Sequence, residues 1–366
     1  MSGAASNPTT ASNGSARLRV IFLGSGAFGV PTLAALAAQH EVLAVVSQPG
    51  KPAGRGMKLT PTPVSEWAAA NAPDMALRTP TDINEAGVAG ELRGLQADAW
   101  VVIAFGQKLG AGLLDGIFAI NLHASVLPRW RGAAPINAAV LAGDSATGNS
   151  VITLAQRMDA GLVLGTSARA IDPLTTAGEL HDLLSADGPA LVLRVLQQHA
   201  QGALEPQTQD ELLVTKARKL KRADGVIDWA KPAAQVRWLV HGLTPWPGVS
   251  VTIGAATVKL LRVREVTGVE LASAREVVSV PSTPSTPSTP GTLIDASAGL
   301  VACGAGALQL LEVQPAGGRA MMWADFARGR SPVAGTALGP EPALVKPPFG
   351  GPGGGSVEGP RDGGPS

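Results

Sequence analysis

The chain has 366 residues, 45% of them hydrophobic, a formal net charge of +1 and one cysteine, Cys303. This is enough for two or three domains with cores of ordinary size, and the lone cysteine excludes an internal disulfide and a cysteine-based metal cluster, as a reducing, cytoplasmic setting would. No apolar run approaches the roughly 20 residues of a membrane helix, and Met1 to Ala16 lacks the charged start and apolar centre of a secretory signal, so a loose N-terminal tail over 1–16 is expected.

The first strand, Leu18 to Leu23, runs into Gly24-Ser25-Gly26-Ala27-Phe28-Gly29, the G-x-G-x-x-G spacing of a dinucleotide-binding turn. That mechanism also needs a carboxylate at the end of the second strand, to hold a ribose hydroxyl. Here the second strand, Glu41 to Ser47, ends in Ser47-Gln48-Pro49-Gly50, and its acid, Glu41, stands at the wrong end. The glycines are therefore read as a βα turn of a doubly wound sheet, with no NAD expected. Further strands are predicted at Ala97 to Phe105 and Phe118 to His123. Ser150 to Gln156 and Leu162 to Ile171 read as an antiparallel addition. Thr176 and Glu179 stand at capping-box spacing and start a long helix to Gln201.

After Gly202 the texture turns to Gln, Glu, Pro and Thr, and then to short strand-like pieces such as Val249 to Ile253 and Ala256 to Val263. A second domain built as a small β-barrel or sandwich is predicted. An S-T-P repeat, Pro281 to Pro290, reads as a solvated insert, and Gly339 to Ser366 as a disordered Gly/Pro-rich tail. Charge is uneven. Residues 1–209 hold 13 Lys+Arg against 15 Asp+Glu, whereas 210–335 hold 14 against 10, and Lys216, Arg218, Lys219, Lys221 and Arg222 fall within seven residues. Such a cluster is the footprint a polyphosphate partner requires, and equally that of a solvated face.

Chemistry concentrates in Ile120 to Ile136, INLHASVLPRWRGAAPI. Asn121 and His123 alternate at the C-terminal end of a predicted strand, where open α/β sheets place their ligands. Asp159 sits in a turn before Gly161. A donor, an imidazole and a carboxylate form a set suited to acyl transfer through an oxyanion, provided the three meet.

His123-Ala124-Ser125-Val126-Leu127-Pro128 is similar to the H-x-S-L-L-P signature of the 10-formyltetrahydrofolate-dependent formyltransferases, and Arg129-Trp130-Arg131-Gly132-Ala133-Ala134-Pro135-Ile136 resembles their methionyl-tRNA branch. Gln48-Pro49, Lys51 to Gly56, Ile227-Asp228-Trp229, Pro245 to Gly248 and Gln314 to Gly317 extend the resemblance over residues 18–335. It implies a Rossmann-like catalytic domain at 17–204, a linker at 205–215 and an OB-like tRNA-binding barrel at 216–338. It also implies catalysis by Asn121, His123 and Asp159, with no metal. 10-Formyltetrahydrofolate would lie against Phe105, Ser125, Val126, Leu127 and Pro128. Initiator methionyl-tRNA would meet Arg55, Lys58, Arg129, Arg131, Lys219 and Lys221 of a monomer. Phe105 replaces a tyrosine of the family, Ala160 a threonine beside the catalytic acid, Gly50 a loop acid and Ser25-Gly26 a T-P pair. A formyltransferase acting on a small amine, glycinamide ribonucleotide or an aminosugar nucleotide, is the nearest alternative. A nicotinamide oxidoreductase and a non-catalytic RNA-binding protein are the readings from other classes.

Overall fold

The computed structural model describes residues 17–53, 56–266 and 289–340. The N-terminal tail, most of the S-T-P insert and residues 341–366 lie outside them. In chain order the α/β part comprises β1 (Arg19–Gly24), α1 (Val30–Gln39), β2 (Glu41–Val46), the hairpin β3 (Lys51–Ala53) and β4 (Lys58–Thr60), α2 (Pro63–Asn71), β5 (Leu77–Arg78), α3 (Ala86–Gly94), β6 (Ala99–Ile103), α4 (Ala111–Leu114) and β7 (Ala119–His123). It continues through β8 (Arg131–Gly132), α5 (Pro135–Leu141), β9 (Ala146–Thr153), β10 (Val163–Ala170) and α6 (Ala177–Ala200).

Seven strands form one sheet in the order β10-β9-β7-β6-β1-β2-β5. Its β5-to-β7 portion is parallel, and β9 and β10 add antiparallel. Both faces are covered, which is why the central strands read as continuous apolar runs. Val20, Phe22, Val101 and Ile103 enter the core on one face, with α1 and α6; Ile21, Leu23, Trp100 and Val102 enter the core on the other. Helix α6 starts where the sequence predicts. Thr176 accepts from the Glu179 N–H and Glu179 accepts from the Thr176 N–H, a cap worth about 1 kcal/mol.

Residues 205–215 are no free linker. Gln207 pairs with Val163, and β11 (Lys216–Ala217) lies parallel to β8, Lys216 beside Arg131 and Ala217 beside Gly132. There follow α7 (Ala233–Gly242), β12 (Val249–Ile253), β13 (Ala256–Val266), β14 (Leu293–Asp295), β15 (Leu300–Ala302), β16 (Ala307–Pro315), β17 (Met321–Met322), α8 (Trp323–Arg330) and β18 (Leu338–Pro340). The strands form an antiparallel sheet, β14-β15-β16-β13-β12-β18. It curls until its edges meet, Thr292 bridging Ala337 and Leu338 N–H donating to the Gly291 carbonyl. Gly339 and Pro340, expected in the tail, belong to β18. Sequence reading missed α7 and α8, which plug this barrel with Val236, Val240, Trp323 and Phe326. Among the described residues no helix is long and apolar enough to cross a membrane.

The barrel is locked to α6 and the loop that precedes it. Arg262 on β13 donates to both Glu179 oxygens and to the Leu174 carbonyl, and Arg237 on α7 donates to the Pro173 carbonyl at 2.6 Å. Behind them His241 is buried and accepts from the Val263 N–H, and burial pushes its pKa down to about 4, so it is neutral in the fold. The Arg262 hydrogen bond holds Glu179 down at about 2, against an ordinary 4.5. A carboxyl depressed by folding adds stability above its unfolded pKa and loses it as pH falls towards the folded one. Glu179→Gln keeps the cap and removes the charge. It should lower the melting temperature by about 1–3 °C at pH 7, because the pair is part-exposed and screened, and the deficit should vanish as pH falls from about 4.5 to about 2. Calorimetric melts of both chains across that window test this.

Candidate active site

The carboxyl ends of β1, β6 and β7 open into a cleft of about 890 Å³, and Asn121, His123 and Asp159 all line it. Strand β7 aims the first two to one side, as period-2 alternation requires. Asp159 arrives from the β9–β10 connection, 3.7 Å from His123 Nδ1 through its Oδ1. The imidazole is nearly buried, and its Nε2 lies 2.9 Å from the Trp130 carbonyl. A carbonyl only accepts, so Nε2 is assigned the proton and Nδ1 is the nitrogen left for chemistry. The Asn121 amide makes no side-chain hydrogen bond among the described residues and faces the cleft.

Asp159 is held from two directions. Its Oδ2 accepts from the Gly132 N–H at 2.8 Å, and its carbonyl accepts from Gln209 Nε2, also at 2.8 Å. Gln209 is buried, donates to the Gly161 carbonyl as well, and accepts from Arg131 Nε. Nothing in the polar run around Gln209 marks it in the sequence; the fold lays that run across the turn. Ala104, Trp130 and Asp159 have φ of +47°, +62° and +54°. Left-handed backbone costs such residues about 1–3 kcal/mol each, a strain typical of functional loops.

The remaining sequence candidates separate. Phe105 is buried and lines the cleft with Ala104 and Gly106, next to Gln107, Lys108 and Leu109, which sequence reading passed over. Ser125, Val126, Leu127 and Pro128 do not line it. They form a brace: Ser125 Oγ donates to the Arg129 carbonyl at 2.6 Å, Ser150 Oγ accepts from the Leu127 N–H and donates to the Ser125 carbonyl, and Leu127–Pro128 is cis. Arg131 is buried at 6% exposure, its guanidinium tied to Gln209 and Glu211, so it has no face for a phosphate. Arg129 is half-exposed and pairs with Asp144. Lys58, Lys219 and Lys221 are exposed, and Arg55 lies outside the described residues. The basic segment starts at the mouth of the cleft because β11 is laddered to β8.

The glycine turn has its own occupant. The N–H groups of Ser25 and Gly26, which would face a pyrophosphate in a dinucleotide fold, donate instead to the Ala104 carbonyl at 3.3 and 3.4 Å. They serve the wall of the cleft.

A doubly wound sheet with a polar trio at its strand ends, joined to a small barrel, is the build of a group-transfer enzyme. The description "Formyl transferase" matches residues 17–196, and "Formyl transferase, C-terminal domain" matches 219–331. The chain is 42% identical to a methionyl-tRNA formyltransferase of Methylobacterium sp. (strain 4-46) over 88% of its own length and 99% of the relative's. It is 41% identical to one from Chelativorans sp. (strain BNC1) over the same shares. The chain belongs to the formyl transferase family. Solved structures share the fold at low identity. HypX from Aquifex aeolicus in complex with tetrahydrofolic acid has a TM-score of 0.55 at 15% identity, over 85% of this chain and 47% of that one. An N-formyltransferase from Helicobacter canadensis has 0.56 at 12%, over 81% and 99%.

Gly132 decides how Asp159 is set. Its φ is +128°, and a Cβ there would fall 2.3 Å from the Ala217 carbonyl oxygen. Gly132→Ala must push β8 off β11 and draw the N–H away from Asp159. Turnover should fall at least tenfold, with a lower melting temperature, as roughly 2 kcal/mol or more of strain and broken hydrogen bonding implies. Steady-state rates beside a thermal melt check it, and wild-type values for both would remove Gly132 from the account.

Proposed function

We propose that the chain transfers the formyl group of 10-formyltetrahydrofolate to the α-amine of initiator methionyl-tRNA, giving formylmethionyl-tRNA for translation initiation in the cytoplasm. The observation that carries this reading is that Asn121, His123 and Asp159 face one cleft, in a chain more than 40% identical to named methionyl-tRNA formyltransferases along nearly their whole length.

Each residue then has a task that its geometry permits. Asn121, with its amide uncommitted, donates to the formyl oxygen as negative charge develops there. His123 holds one proton on Nε2 against Trp130 and offers Nδ1 to the amine proton. Asp159 stabilises the imidazolium that results, and its own fixation by Gly132 and Gln209 means that little reorganisation is needed at that moment. A C–N bond forms to the α-amine, the bond to N10 of the donor breaks, and the amine proton ends on N10. No covalent link to the enzyme is needed. The apolar wall at Phe105, Leu109 and Leu114 fits a flat heteroaromatic donor, with Lys108 beside it. The Ser125 to Pro128 turn contributes by bracing the strand end that carries His123.

We assign donor binding and chemistry to residues 17–204 and tRNA binding to 216–338, the protein acting as a monomer. Lys216, Lys219, Lys221 and Arg222 are exposed and form no ion pair among the described residues, whereas Arg218 is taken by Asp224. Within that basic segment, those four are the cations open to phosphates.

Incubation with methionyl-tRNA and 10-formyltetrahydrofolate should yield formylmethionyl-tRNA. His123→Ala should lower turnover by about 10²–10⁴-fold, the usual share of acid–base catalysis, with its melting temperature kept within a few degrees. A variant that turned over normally would refute the assignment. Lys219→Glu with Lys221→Glu should reduce the slope of log affinity for tRNA against log salt by about 0.7–0.9 for every phosphate no longer neutralised, while donor binding stays at wild type. An unchanged slope, read by filter binding across salt, would move the tRNA surface elsewhere.

A further inference from the structure

Beneath the donor wall lies a chain of uncharged hydrogen bonds that the reaction described above does not use. The Phe105 carbonyl, on a buried residue, accepts from Ser25 Oγ and from Gln48 Nε2, both at 3.0 Å. The preceding carbonyl, of Ala104, takes the Ser25 and Gly26 N–H groups. Four donors from the glycine turn and the end of β2 thus converge on two consecutive carbonyls. The network runs on: Ser25 Oγ accepts from the Gln48 N–H and meets Ser47 Oγ, Ser47 Oγ lies 2.6 Å from Thr62 Oγ1, and Thr62 caps α2. Gly106, with φ of +83°, permits the contact, since a Cβ there would sit 2.4 Å from Gln48 Nε2.

We infer that Ser25 and Gln48 are positioning residues that set the donor wall at Ala104 to Gly106 and tie it to the β3–β4 hairpin. Three facts carry this. The wall is bent at Ala104 into a left-handed conformation, φ +47°, which a residue with a Cβ leaves unless it is held there, and Gly106 continues the bend at no such cost. Its holders are the Ser25 and Gln48 side chains and two turn N–H groups, all just beyond the ends of β1 and β2, not the loop's own turn bonds. And Gln48 stands three residues before Lys51, so the amide that fixes the wall also fixes the stem of the hairpin carrying Lys58. Ser25, where the resemblance leads one to expect threonine, and Gln48 thereby link the two substrates' sides of the cleft. The inference rests on the proposed reaction for its kinetic arm and not for its binding arm.

The test uses the full chain and four variants: Gln48→Ala, Ser25→Ala, both together, and Ser25→Thr. The binding probe is 5-formyltetrahydrofolate, followed by calorimetry, and the kinetic readouts are kcat and KM for 10-formyltetrahydrofolate and for methionyl-tRNA. Each single alanine variant should raise the probe's Kd and the donor KM roughly five- to tenfold while kcat falls less than threefold. The double variant should lose more than the product of the two, because the buried Phe105 carbonyl is then left without a partner. Ser25→Thr keeps the hydroxyl and should restore binding. Gln48→Ala should also raise the KM for methionyl-tRNA, by a smaller factor, which Ser25→Ala should not do.

Donor Kd within twofold of wild type in the double variant would overturn the inference. So would a fall in kcat with unchanged KM values, which would make the network a stability element only. A wild-type chain that bound the probe but formed no formylmethionyl-tRNA would overturn the proposed acceptor, and the clamp would still be decided by the binding arm.

Discussion

The orientation of the Asp159 carboxylate depends on one hydrogen bond, donated by the Gly132 N–H at 2.8 Å. Gly132 belongs to β8, which is laddered to β11, and β11 is the first element of the chain's passage into the barrel. The carboxylate is therefore referenced to both halves of the protein. Gln209 adds a second tie from the same passage, and Arg131 is spent on holding Gln209 and Glu211 in place. A charge-assisted bond to a backbone N–H is among the stronger hydrogen bonds available. Here its direction fixes the carboxylate oxygen that meets the imidazole.

Such a mount explains why the barrel packs against the α/β part through polar clamps as well as apolar surface. Apolar contact is non-directional and tolerates sliding, whereas Arg262 on Glu179 and Leu174, Arg237 on Pro173, and Asn137 on the Gly242 carbonyl each fix an angle. The exposed lysines after β11 then keep a fixed distance from the cleft. A basic surface that moved freely would still attract a polyanion, but it would not present the end of one to His123.

Much of the fold was legible in the sequence, for local reasons. Apolar runs gave β1, β2, β6 and β7, and Thr176 with Glu179 gave the start of α6, whereas the two-residue β5 has no such run. Barrel helices α7 and α8 escaped because they are short, 10 and 8 residues, and their apolar positions are interleaved with Arg, Gln and Asp, so neither looks like an element apart from the core it fills. The site was legible where strand alternation sets direction, at Asn121 and His123, and where a family motif names a turn, at Asp159. It was not legible where burial decides. Arg131 reads as a basic loop residue beside Arg129, and only the passage of 207–216 overhead turns it inward. Ser125 to Pro128 sits inside the most specific motif yet braces the strand end instead of lining the cleft. Gln209 lies 50 residues from Asp159, and no local pattern connects them.

The G-x-G-x-x-G spacing shows the same limit from the other side. A glycine turn at the end of β1 presents backbone N–H groups at the carboxyl edge of the sheet whatever the protein does with them. What they meet depends on the neighbouring strand. Where β6 ends in a loop that leaves the edge open, a phosphate can occupy the space. In this chain Ala104 takes a left-handed conformation, its carbonyl turns back towards β1, and the same donors are satisfied by protein. The carbonyl that takes them lies some 80 positions away, with nothing in the turn to mark it. The missing ribose carboxylate on β2 is the local trace of that choice. Its place at the strand end is held by Ser47 and Gln48, uncharged groups that reach the hydroxyl of Ser25 and the carbonyl of Phe105. A carboxylate at Gln48 would face that carbonyl with no proton to offer. An amide donates there at neutral charge, which leaves the field in the cleft to Asp159 and Lys108.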